Sequence, residues 1–168
     1  MSALDVSHLT PPDAVAALRS YPRRFRSALQ PLDDDEQIDE IAHRLGRDGR
    51  SAIDVVSDVT RTFVLLGEAL RQIALSDQPV LHPAVADPSA RRWENGTPAT
   101  VEDALALLTE AADNLAQQTS ELPAKAWDRT AQVAGDGTVR ALDLVRDATK
   151  VGHEGLRDVE RILQEVRT

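Results

Sequence analysis

The sequence predicts an all-α domain, a four-helix bundle, and three observations carry that prediction. Four long stretches place apolar side chains at alternating intervals of three and four, the period of a helix face turned toward a core. Helix-starting and helix-stopping residues bracket these stretches. The 168 residues are enough to bury one core and need no second, so 1–168 is read as a single domain.

The first helix is expected over about 12–29. Pro11 and Pro12 follow Thr10, and a proline in the first turn leaves no N–H unpaired. Val15, Leu18, Pro22, Phe25 and Leu29 make its stripe, with Pro22 expected to kink or split it near Tyr21. Asp33 to Glu36 precede Ile38, Ile41 and Leu45. Acids at a helix start are favoured by its dipole, so a short capped helix is read there in preference to a cation site.

Ser51 and Asp54 resemble a capping box and open the second long helix, 52–75. Its stripe is Ala52, Val56, Val59, Phe63, Leu66, Leu70 and Ile73. The segment from Pro79 to Pro98 is too long for a simple connection and carries His82, Arg91, Arg92, Trp93 and Glu94. Two readings fit it: a lid or binding loop, or a plug in which Trp93 closes one end of the bundle and the arginines are solvated.

Thr100 and Asp103 cap the third helix, 101–122, with Leu105, Leu108 and Leu115 inward and Pro123 as its stop. The connection from Pro123 to Gly137 holds Trp127 and has room for a short helix over 123–129. Thr138 is read as opening the fourth helix, 139–166. Its stripe runs Leu142, Val145, Thr149, Gly152, Leu156, Val159, Leu163, Val166. Thr149 and Gly152 are too small to fill their share of a core, so a gap in packing is expected beside them. Gly152 and Gly155 each cost about 1 kcal/mol relative to alanine inside a helix, and close approach of a backbone or a ligand is the simplest compensation. Asp147, Lys150, His153 and Glu154 gather the helix's polar chemistry at the same level.

Composition excludes several classes. There are no cysteines, hence no disulfide, thiolate metal site or cysteine nucleophile in this chain. A net charge of −9, with basic residues mostly interleaved among acids, disfavours non-specific nucleic-acid binding, and Arg23, Arg24 and Arg26 read as a solvated helix face. The first residues lack a basic flank with an apolar run, and the longest aliphatic or aromatic run is Phe63 to Leu66, so a cytoplasmic protein without a membrane span is expected. No Gly-rich phosphate loop, zinc-protease motif or nucleophile elbow is present. His8, His43 and His82 are read as surface or capping residues.

Three phrases, Asp48-Gly49-Arg50-Ser51-Ala52-Ile53-Asp54, Asp77-Gln78-Pro79-Val80-Leu81 and Leu156-Arg157-Asp158-Val159-Glu160-Arg161, together with the helix order, resemble the DinB-like superfamily. That superfamily includes the bacterial mycothiol-dependent maleylpyruvate isomerase N-terminal domain and related thiol transferases. The resemblance implies an up-down-down-up bundle with a long connection between the second and third helices. It also implies a divalent metal, nickel or zinc, on one histidine of the second helix and two of the fourth. Here the first of those positions holds Asp58, and the others fall near Val151 and Gly155, or Lys150 and Glu154. His153 is the helix's only imidazole, a poor substitute for three nitrogens.

Three functional readings follow. The preferred one is a binding or interaction protein with a degenerate metal site, no cofactor, and a small molecule or protein as partner. Its candidate pocket comprises Asp58, Lys150, His153, Glu154 and Trp93. The alternative is a metal-dependent thiol S-transferase or isomerase using zinc or nickel with a low-molecular-weight thiol of the mycothiol or bacillithiol type. The third is metal-free acid–base catalysis by His153 with Asp58 or Glu154. Pairing into a homodimer is left open by the sequence. The resemblance further implies that Asp58 faces the stretch from Val151 to Gly155, where a carboxylate in a partly buried pocket is expected to meet His153, Lys150 or water.

Overall fold

The computed structural model describes residues 4–91, 96–133 and 137–168. Four long helices, α1 (Pro11–Ala28), α3 (Ala52–Leu75), α4 (Val101–Glu121) and α5 (Ala141–Val166), lie within two residues of the boundaries the apolar period predicts. A short α2 (Ile38–His43) follows the acidic run. The caps explain the starts. Thr10 and Ser51 each accept from the backbone N–H three residues on, and Asp13 and Asp54 answer with their carboxylates, closing two capping boxes. Thr100 accepts from the Asp103 N–H, and Asp39 on α2 takes the Val101 N–H at 2.7 Å.

The directions of the helices follow from who meets whom. Arg146, early in α5, donates to the Leu9 carbonyl, and Arg167 at its end donates to the Gln30 carbonyl, so α1 and α5 run parallel. Arg26 near the end of α1 pairs with Glu102 at the start of α4, which makes that pair antiparallel. Leu70 and Leu75 share a cleft with Gln118 and Leu122, so α3 and α4 end together and run parallel. Asp48, just before α3, holds Arg161 near the end of α5. The order is up-down-down-up. Parallel neighbours force their connection to cross the whole bundle, about 36 Å for the 24 residues of α3 at 1.5 Å each. This is why the segment between α3 and α4 is long.

The crossing segment is partly ordered into β1 (Val80–Leu81) and single turns at Pro83–Val85 and Pro88–Ala90. β1 pairs in parallel with β2 (Thr130–Val133), which pairs antiparallel with β3 (Gly137–Arg140). The sequence reading contains no strand. β3 takes residues 139 and 140 from the predicted fourth helix, whose N-cap is Arg140, with Asp143 accepting its N–H, and not Thr138. The short helix expected at 123–129 is a single turn, Ala124–Ala126. Period-based reading misses such strands because four residues are too few to show an alternation.

One core fills the bundle, and the apolar stripe residues of the four long helices are buried in it except Val15, Leu142 and Val166, which are half-buried against it. The inward residue after Leu18 is Tyr21, not Pro22, and α1 runs unsplit through Pro22. The packing gap expected at Thr149 and Gly152 is closed by the same residue. The Tyr21 ring lies where a Gly152 side chain would start, and its hydroxyl donates to the Thr149 carbonyl at 2.6 Å.

Ion pairs tie the chain ends and the turn before α3 to α5. Glu36 is held below its ordinary value by Arg167; Asp48 by the Arg50 N–H and the Arg161 guanidinium; Glu165 by the Arg47 N–H and Arg161. A depressed carboxylate stabilises the fold above its ordinary value and loses that contribution as pH falls through its folded value. These ordinary values are 3.8 for Asp48 and 4.5 for the glutamates, so thermal melts should change little from about pH 7 to 5 and fall below about 4.5. Arg161→Met should lower the melting temperature more at pH 7 than at pH 3; an equal loss at both would show that these pairs contribute nothing to acid sensitivity.

Candidate functional site

Between α3 and α5, on the side crossed by the long connection, lies a pocket of about 380 Å³. Residues spaced along one face of each helix line it: Val55, Asp58, Val59 and Thr62 from α3, and Val151, Glu154, Gly155 and Asp158 from α5. Gly155 brings the two helices close, since a side chain there would begin 2.4 Å from Val59 Cγ2. Pro88, Ser89 and Arg91 of the crossing segment form the remaining wall, with Arg50 from the turn before α3.

Arg50 is ion-paired with Asp58 on the pocket wall, both side chains about one-third exposed. The sequence expects Asp58 to meet His153, Lys150 or water; the partner found on the pocket wall is Arg50, which the turn at Asp48 and Gly49 delivers to the start of α3. Glu154 does reach the pocket with Asp58. His153 does not line it: at 3.6 residues per turn it projects from nearly the opposite side of α5 to Val151 and Gly155. Lys150 also stays off the wall, with its ammonium 4.0 Å from Glu154. The convergence of His153 with Asp58 that acid–base catalysis needs is absent. Trp93, Arg92 and Glu94 lie outside the described residues.

Arg91, named in the sequence only as one of several charged residues of the crossing segment, has a role that sequence reasoning missed. It is only 4 % exposed, where the sequence left it either part of a binding loop or a solvated arginine. Its Nε donates to the Ala84 carbonyl at 2.7 Å, and Nη2 donates to the Val85 carbonyl and to Asp147 at 2.8 Å. Those carbonyls come from the turn that His82 caps by accepting the Ala84 N–H. Arg91 thus pins the crossing segment to α5. No local signal separates it from Arg92; the signal that existed was Asp147, a carboxylate beside the helix's weak stripe.

The donor set does not fit a metal. In one register the resemblance marks for ligands, Val151 and Gly155 carry no donor; in the other, Lys150 is a cation and Glu154 supplies a single carboxylate; and Asp58 faces a guanidinium that would repel a cation. Among the described residues no three His, Cys, Asp or Glu side chains cluster within metal-binding reach. No helix among them is long and apolar enough to cross a membrane.

Comparison with family models finds no match, and comparison with curated protein sequences finds none. Among solved structures, the chain is similar to YfiT from Bacillus subtilis, described as a probable metal-dependent hydrolase with an unusual four-helix bundle topology. The two superpose with a TM-score of 0.76 over 98% of this chain and 91% of that one, at 14% sequence identity. Agreement over nearly the full length is agreement of fold: this chain has the four-helix bundle fold of YfiT.

Proposed function

We propose that this protein is a binding member of the DinB-like fold, with a degenerate metal site, whose pocket between α3 and α5 takes a small molecule through polar contacts. The observation that carries this reading is the Arg50–Asp58 ion pair on the pocket wall. Where a metal-dependent relative would place a neutral ligand facing a cation, this chain places a carboxylate already neutralised by its own guanidinium. A pocket of about 380 Å³ is the size of a small-ligand cleft, and it mixes an apolar wall of Val55, Val59 and Val151 with charged groups that fix orientation.

Two measurements test the reading. Untagged protein purified without chelator is expected to carry far less than one equivalent of nickel or zinc by elemental analysis. A thermal-shift screen of small polar compounds should yield stabilising ligands whose effect is lost in Val151→Trp, which fills the pocket from α5. Stoichiometric metal that disappears in Asp58→Ala would overturn the proposal and restore the metal-dependent thiol transferase.

A further inference from the structure

We infer that the ligand of this pocket is a small zwitterion whose carboxylate meets Arg91 and whose ammonium meets Glu154, the two charges set apart as in a dipeptide or an ω-amino acid. The inference rests on the small-molecule reading above and names its chemistry. A guanidinium presents five N–H donors, and burial obliges them to find acceptors. On Arg91 the Nε and Nη2 donors have carbonyls and Asp147, while the buried Nη1 meets no acceptor among the described residues. A carboxylate offers planar, charged acceptors that suit this gap.

The other charges of the pocket decide against a plain anion. Asp58 is paired with Arg50, and Asp158 with Arg161 at 3.4 Å. Among the described residues Glu154, 48% exposed, meets only the Lys150 ammonium at 4.0 Å, beyond hydrogen-bond distance, and so keeps acceptor capacity at the pocket wall. An anion entering alone would be repelled by Glu154. A zwitterion finds a complement at each end.

The spacing selects among zwitterions. Asp147, which holds Arg91, and Glu154 stand seven residues apart on α5, about 10 Å along the axis. An α-amino acid carries both charged groups on one carbon, too close to serve both. An extended dipeptide spans about 7 Å, and side-chain reach covers the rest. Val59 and Val151 give an aliphatic side chain a surface on the way.

Calorimetric titration of the full chain with alanyl-valine, with 6-aminohexanoate and with valine tests this. Alanyl-valine or 6-aminohexanoate should bind, and which of the two binds more tightly identifies the peptide or the ω-amino acid class; valine should bind at least about tenfold more weakly. Amidating the carboxylate or acetylating the amine should each weaken binding by about tenfold or more. Glu154→Gln, at a half-exposed position that leaves the fold intact, should erase the distinction between free and acetylated amine while keeping that between acid and amide. Equal binding of acid and amide overturns the inference, as does no binding by either spaced zwitterion. If neutral compounds from the thermal-shift screen still bind in the pocket, the zwitterion inference alone fails; if no compound binds, the small-molecule reading falls with it.

Discussion

Gly152→Ala is expected to lower the unfolding free energy by roughly 3 kcal/mol, although alanine is the better helix former by about 1 kcal/mol. The new methyl would sit 2.4 to 2.8 Å from three atoms of the Tyr21 ring. That ring has nowhere to retreat. It meets Phe25 edge-on with centroids 6.4 Å apart and Phe63 at 6.1 Å, and its hydroxyl is held by the Thr149 carbonyl at 2.6 Å. Burial pushes the Tyr21 phenol up to about 12, against Arg24 and the His153 backbone. Because the folded form keeps its proton longer than the unfolded one, that contribution is intact below pH 10 and is lost as pH rises toward about 12. In a Tyr21→Ala background the clash is gone, and Gly152→Ala should become neutral or stabilising; urea unfolding of the four proteins of this cycle measures the coupling. A change within about half a kcal/mol in the parent would mean that α1 gives way freely.

Phe63→Ala should cost about 3–5 kcal/mol, the range for deleting a fully buried aromatic ring. Phe63 lies on α3 beneath Tyr21, so its loss opens a void at the level where α1, α3 and α5 meet and the rotamer that fills the Gly152 notch loses support. The denaturation midpoint should fall with an unchanged urea slope. A cost below about 1 kcal/mol would place the ring outside the core.

The four long helices were legible because they rest on local information, while their up-down-down-up order came from the resemblance. Caps at Thr10, Ser51 and Thr100 act through hydrogen bonds spanning three residues, and a stripe such as Val56, Val59, Phe63 and Leu66 repeats often enough to fix a period. The two glycines of α5 were legible as sites of close approach. What approaches them was not: Tyr21 comes from 131 positions upstream of Gly152, and the three-four spacing tolerates either Tyr21 or Pro22 after Leu18. Asp58, Glu154 and the helix-five stretch around Val151 could be assigned to one pocket from the resemblance and the spacing along α3 and α5.

The sequence by itself determined the four long helices and the length of the connection between the second and third, since these depend on which residue types stand at which periods along the chain. Only the tertiary structure decided the partners: Arg50 on Asp58, Arg91 buried on Asp147, His153 turned away from the pocket. A guanidinium on a flexible stem can pair with any carboxylate within reach or remain in water, and the choice is made by the desolvation and packing of segments far apart in the chain.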